Sequence, residues 1–356
     1  MSASIRITGG IEENTICAGG GLFPVVDRLR TGELAVILRD IPNHATAFGG
    51  LDLYVSSDGG KTWTKRSDLP DFLPEKDCRN PAFGVLADGT LVVGLVSFDY
   101  RPSPREFKKY FTRSTDGGFT WAPVQELSIP ASVMIGGSPY GKVVQQPDGT
   151  ALMPVYAEPK SYFLRSADNG RSWGHASLIA GENASETAVL ALDNERLIAA
   201  MRSSRIHGVY GTGEAVFQSH SMDNGATWST PQRLTLDQQH PADLIRLRDG
   251  ALLLTYGNRI DGNRVVEANL GEGEHIVDGE TIKSHNGAKI LISTDDGQSW
   301  GPEGGLAIYE GCISDDCGYP SSVQLDDGTI VSVFYEETVR RKDFRAVALR
   351  YKLATA

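Results

Sequence analysis

The phrase SSDGGKTW (Ser56–Trp63) returns four times in this chain, as STDGGFTW (Ser114–Trp121), SADNGRSW (Ser166–Trp173), SMDNGATW (Ser221–Trp228) and STDDGQSW (Ser293–Trp300). The common form is Ser-x-Asp-x-Gly-x-[Thr/Ser]-Trp, and it accounts for all five tryptophans of the protein. Successive tryptophans lie 58, 52, 55 and 72 residues apart, a propeller-blade period and not a helical-repeat one. Ser-x-Asp-x-Gly is turn chemistry. The aspartate accepts hydrogen bonds from backbone N–H groups just downstream, and the glycine can take a positive φ. The tryptophan packs over the hairpin so formed. These boxes therefore read as scaffold.

A second repeat interleaves with the first. It runs Pro24–Asp40, Ala82–Phe98, Gly141–Ala157, Thr187–Arg202, Ala242–Arg259 and Ser321–Glu337. Each copy is an apolar strand, a tight turn of mostly Asp-Gly type, and a second apolar strand. Runs such as LVVGLV and ALLLTY are apolar on both faces, as strands between packed sheets must be. Six hairpins and five boxes imply an all-β fold, a six-bladed β-propeller in which one blade is cut by the chain ends. Arg345–Leu353 would be the third strand of that blade, and Ser4–Thr8 would return as its fourth, closing the ring. The expectation is one domain over residues 1–356, with the Gly- and Glu-rich stretch from Asp261 to His285 as an inserted loop or hairpin.

The formal net charge of −11 argues against nucleic acid and anionic membrane surfaces as partners. No 18-residue apolar run and no leader-like N-terminus is visible, as expected for a cytoplasmic protein or one whose leader has been removed. Oligomeric state is not legible. Cys17, Cys78, Cys312 and Cys317 form no metal-binding spacing, and buried free thiols are expected, with no metal or other cofactor.

In a propeller, a ligand on the axis meets a short segment from each blade. The residues flanking the inner hairpins are thus the candidate site: Leu22-Phe23, Arg79-Asn80, Ser138–Tyr140, Ser185-Glu186, Gln239-His240 and Gly318-Tyr319 at the start of the hairpins, and Arg39-Asp40, Asp99-Tyr100, Tyr156–Glu158, Arg202, Arg259 and Glu336-Glu337 where they return. Polar groups converging on a concave centre make the default binding site.

Boxes, hairpins and rim together resemble the sialidase (neuraminidase) superfamily over nearly the whole chain. The resemblance implies that Tyr319 is a nucleophile and Glu186 its partner base, with Arg202 and Arg259 clamping a carboxylate. A tyrosine nucleophile is a known sialidase exception to the usual carboxylate pair, so that role comes from the family. The chain departs from the pattern twice. Where the family opens its first hairpin with Arg-Ile-Pro, this one has Leu22-Phe23-Pro24, so one clamp arginine is absent. Arg39 and Arg79 are candidate replacements. Where the family places an aspartate acid/base, the loop RDIPNHATAFGGLD offers His44, Asp40 and Asp52. His44 is preferred because imidazole titrates near neutrality. His240, Phe23 and Tyr140 complete the expected substrate contacts. The reading is an exo-acting, retaining glycoside hydrolase acting on a terminal sialic acid-like or other sugar, acidic ones included. A polysaccharide lyase for uronic acid-containing glycans, a non-catalytic carbohydrate-binding propeller and a structural or partner-binding propeller are the alternatives.

Overall fold

The computed structural model of the protein describes residues 5–69, 76–102, 106–127, 137–203, 214–260, 274–277, 280–339 and 342–355. Six antiparallel sheets follow one another along the chain, and their innermost strands touch in a closed cycle. The first blade is Leu22–Arg28, Leu34–Arg39, Leu51–Ser56 and Thr64–Asp68, ordered as in the sequence. The sixth is Gly318–Gln324, Ile330–Val339, Asp343–Thr355 and, last, Ile5–Ala18. The N-terminal strand pairs with the C-terminal one from Ile5 opposite Thr355 to Ala18 opposite Arg345. Closure is as the hairpin count implies, but the closing strand is longer than SIRIT.

Each of the five boxes joins the third and fourth strands of a blade. In the third, Asp168 Oδ1 accepts from Ser166 Oγ and Ser172 N, and Oδ2 accepts from Ser172 Oγ. The boxes also tie blade to blade. Arg350 of the sixth blade donates to Gly59 O, Arg66 of the first to Gly117 O, Arg165 of the third to Asn224 O, and Gln218 of the fourth to Gly297 O.

Burial explains the doubly apolar strands. Among the described residues the core is six apolar layers, one between each pair of adjacent blades. Ile37 and Leu53 meet Phe83 and Leu95, for example, and Leu252 and Leu254 meet Ile198 and Val216. A seventh, smaller cluster of Leu22, Phe23, Tyr335 and Phe344 lies where the sixth blade meets the first, with Tyr319 packed against it.

One detail departs from the sequence reading. The inner strand of the third blade is broken into Ser138–Pro139, Gly141–Lys142 and Val144–Gln145, and the middle pair joins the second blade in parallel register. Gly141, at φ 71, turns the chain out of its own ladder. Within the insertion, Glu274–Val277 and Glu280–Lys283 form a separate hairpin, in keeping with the expected loop or hairpin; residues 261–273 and 278–279 lie outside the described residues. The four cysteines are free. Burial pushes the thiols of Cys17 and Cys78 up to about 11, which leaves them protonated at neutral pH.

The box glycines set the blade spacing. A Cβ on Gly225 would stand 2.6 Å from the Phe163 ring of the preceding blade, and the residue has φ 76. Gly250 has φ 93 but nothing within 4 Å of its Cβ direction. Gly250→Ala should thus cost only backbone strain, about 1–2 kcal/mol. Gly225→Ala adds overpacking and should cost about 2–5 kcal/mol. Chemical denaturation of the two variants checks this, and equal losses would remove the spacing role.

Candidate active site

Four inner strands carry the same defect at the rim. Two residues oppose one between Leu22 and Val25, Arg79 and Ala82, Gln239 and Ala242, and Gly318 and Ser321. Each bulge ends in a proline, which cannot donate to the ladder. The residues before three of these prolines, Phe23, Asn80 and Tyr319, take φ 55, 51 and 52. Such strained bulges re-aim a side chain and are common beside binding sites.

Tyr319 lies in the centre of the described cluster. Its hydroxyl donates to Glu186 Oε1 at 2.8 Å. Arg202 Nη1 reaches both Glu186 oxygens at 3.1 and 3.2 Å, and lies 3.5 Å from the tyrosine oxygen. Arg202 Nη2 donates to Glu214 Oε2 at 3.0 Å. The Arg259 guanidinium stands over the Tyr319 ring, 5.2 Å from its centroid. Tyr140 and Phe23 meet that ring edge-on at 5.9 and 4.9 Å. Glu186, Arg202, Arg259, Tyr319, Phe23 and Tyr140 are thus brought together from blades one, three, four, five and six.

Burial opposes the charge on Glu186, but Arg202, Ser185 and Tyr319 outweigh it and hold its pKa below the ordinary carboxylate value. Burial pushes the Tyr319 phenol far above its usual range, and the Glu186 carboxylate adds to the push. The resting pair is therefore a neutral phenol donating to a carboxylate. Arg259 Nε and Nη2, and Arg202 Nε, are out of solvent contact and have no hydrogen-bond partner among the described residues. Donors left unpaired in this way are costly, and an anionic or hydroxyl-bearing ligand would satisfy them.

Other expected residues have different surroundings. Arg39 is fully buried, paired with Asp77, and donates to Asn43 O, Cys78 O and Thr46 Oγ1. Arg79 donates to His44 O, lies over the Phe98 ring and sits 3.9 Å from Asp77. Both guanidiniums are used up in bracing the 40–50 loop, so neither replaces the missing clamp arginine. Asp40 accepts from Gly50 N at the base of that loop. Asp52 pairs with Lys65. Leu22 is wholly buried in the core and does not wall the site; Phe23 does. His240 is 1% exposed and lies behind Glu214, its Nε2 3.2 Å from Glu214 Oε2, so it supports the Arg202 partner and does not face a ligand. His44 stands beside Phe23, ring centroids 5.1 Å apart, with Nε2 2.8 Å from Asp316 Oδ1. Asp316, Glu214 and Asp77 were not legible as site residues. The only signal was acidity: Asp315-Asp316 directly precede the Tyr319 segment.

The chain belongs to the BNR repeat-like domain family, whose profile matches residues 72–333; the BNR/Asp-box repeat itself matches residues 54–65. It is 26% identical to a sialidase of Bacteroides fragilis (strain YCH46) over 98% of its own length and 63% of that protein's, so it spans less than two thirds of that relative. Its fold is similar to a protein of unknown function from Dyadobacter fermentans (TM-score 0.77, 21% identity, 98% and 99% of the two chains). It is also similar to the NanB sialidase of Streptococcus pneumoniae (TM-score 0.68, 11% identity, 98% and 70%).

The buried histidine yields a pH prediction. Burial, helped by Arg202 and opposed by Glu214, brings His240 from 6.5 down to about 4. Between those values the folded state binds fewer protons there than the unfolded chain. The contribution of His240 to stability is therefore complete above about pH 6.5 and is lost as pH falls toward 4. Glu214, held at about 2, adds its own loss only below 4.5. The unfolding midpoint should fall from pH 6.5 to 4.5 more steeply in the parent than in His240→Gln. Equal slopes in thermal unfolding would show that His240 is not the group responsible.

Proposed function

We propose that the chain is an exo-acting glycoside hydrolase that retains anomeric configuration, with Tyr319 as nucleophile, Glu186 as its base and His44 as acid/base. One observation carries the reading: the hydroxyl of a part-buried tyrosine donates to a buried carboxylate held ionised by an arginine, beside a second arginine with donors unpartnered among the described residues. The likeness to a sialidase supports it.

In this reading the anomeric carbon sits over the Tyr319 oxygen. The C1–O bond to the leaving group breaks as the Tyr319 O–C1 bond forms. The phenol proton moves to Glu186, and His44 gives a proton to the departing oxygen. Proton transfer from so weak an acid to so weak a base is unfavourable in the resting site. It proceeds because the developing negative charge is consumed in the new bond to an oxocarbenium-like carbon. Water then attacks C1, His44 takes its proton, and Tyr319 leaves with the proton returned from Glu186. Arg202 and Arg259 hold an acidic group of the terminal sugar.

Tyr319→Phe and Glu186→Gln should each lower kcat by about 10³-fold or more, and the double variant should be scarcely worse, because the pair acts as a unit. Near-normal turnover in Tyr319→Phe would overturn the nucleophile. Products from a uronic acid polymer that absorb in the near ultraviolet would identify a lyase instead.

Phe23 fixes a second expectation. It lies against the Tyr319 ring while the family's first clamp arginine is absent, so an ordinary sialoside leaves its carboxylate one partner short, a loss of roughly 1.5–3 kcal/mol. A fluorogenic sialoside should be cleaved poorly, and a glycoside presenting hydrogen or methyl toward Phe23 better. Sialoside turnover at ordinary enzymatic rates, about 1–10³ s⁻¹, would refute this.

A further inference from the structure

The loop that carries Tyr319 also carries Asp316, a residue with no role in the reading above. Its Oδ1 lies 2.8 Å from His44 Nε2 and accepts the Tyr335 hydroxyl at 2.9 Å. Tyr335 is fully buried, so this second contact is fixed by the core. Asp316 N donates to Ser314 Oγ at 3.1 Å, which holds the turn. Burial opposes ionisation of Asp316, but His44, Arg259 and Tyr335 outweigh it.

His44 is held from several directions. Arg79 donates to His44 O, and Arg39 donates to the preceding carbonyl of Asn43 at 2.7 Å. The imidazole packs against Phe23 and, at 6.2 and 6.1 Å, against Tyr335 and Phe344. Its side chain keeps 44% exposure. Nε2 is committed to Asp316, and Nδ1 has no hydrogen-bond partner among the described residues.

We propose that Asp316 is the positioning residue of the acid/base: it fixes His44 in the Nε2–H tautomer and leaves Nδ1 as the nitrogen that exchanges protons with the leaving oxygen and then with water. The proposal rests on the reading of His44 given above. A carboxylate can only accept, so neutral His44 must donate from Nε2 and must accept at Nδ1. An asparagine can present its N–H₂ to Nε2 instead, which would drive the proton to Nδ1 and abolish the base while preserving shape.

The experiment has two readouts. The first is turnover of one glycone on two leaving groups, an alkyl glycoside that needs protonation and an activated aryl glycoside that does not. Asp316→Asn should lose about 10²–10⁴-fold on the alkyl substrate and much less on the aryl one. Asp316→Glu should restore part of the loss. A purely structural role would lower both substrates alike, and that result would overturn the proposal. His44→Ala separates the two levels. If His44→Ala keeps alkyl turnover, the acid/base reading itself fails. If His44→Ala loses it and Asp316→Asn does not, only the positioning role fails. The second readout needs no activity. Nitrogen-15 NMR of the imidazole in the unaltered protein should show His44 as the Nε2–H tautomer when neutral; an Nδ1–H tautomer would overturn the proposal even if Asp316→Asn cannot be folded.

Discussion

The ring depends on a contact that no side chain could make. At each box a glycine with positive φ lies against an apolar side chain of the blade before it: Gly170 on Val92, Gly225 on Phe163, Gly297 on Ile198. In four of the five boxes a carbonyl of the turn accepts from an arginine or glutamine of that same neighbour. Spacing and orientation between consecutive sheets are fixed together. Apolar layers can then fill between the sheets, and the last blade comes round to meet the first strand. The site depends on that closure, since Phe23, Glu186, Arg259 and Tyr319 come from four different blades.

The site itself balances opposed terms. Burial works against charge on Glu186, and Arg202 restores it. The same burial keeps the Tyr319 phenol neutral. Arg202 is in turn shared with Glu214, which His240 supports from below. Among the described residues Arg259 lacks a comparable partner. The pocket is therefore electrically complete on the Glu186 side and open on the Arg259 side, which gives an incoming anionic group a defined place and direction. The 40–50 loop is anchored separately, through Asp77 and two arginines, so the histidine side of the pocket has its own rigid mount.

Much of this was legible in the chain, for a definable reason. Boxes and Asp-Gly hairpins are local patterns, and local patterns repeated at a fixed period specify a ring. Glu186, Arg202, Arg259 and Tyr319 stand at the rim ends of successive repeats, and the resemblance to the sialidase superfamily singled them out from the other rim residues. Arg39 and Arg79 misled because their position along the hairpin is right while their side chains turn away, into Asp77 and the loop carbonyls. Leu22 misled for a related reason: the bulge that follows it sends Phe23, one residue on, toward the axis. Asp316, Glu214 and Tyr335 were missed because their importance lies in cross-blade contacts. Nothing in the sequence near Asp316 announces that His44, 272 residues away, will lie against it.

The rim bulges make the pocket modular. At Phe23, Asn80, His240 and Tyr319 two residues face one, so the side chain there is uncoupled from the alternation that governs the rest of its strand. A new residue at such a point leaves the alternation of its strand intact, because the ladder resumes its own register two positions later. The freedom is one of register and not of packing: Phe23 meets the Tyr319 ring edge-on and His240 is buried beside Glu214, so these occupants change only together with their neighbours. The residues at the centre can in this sense differ without shifting the register of the strands that hold the ring.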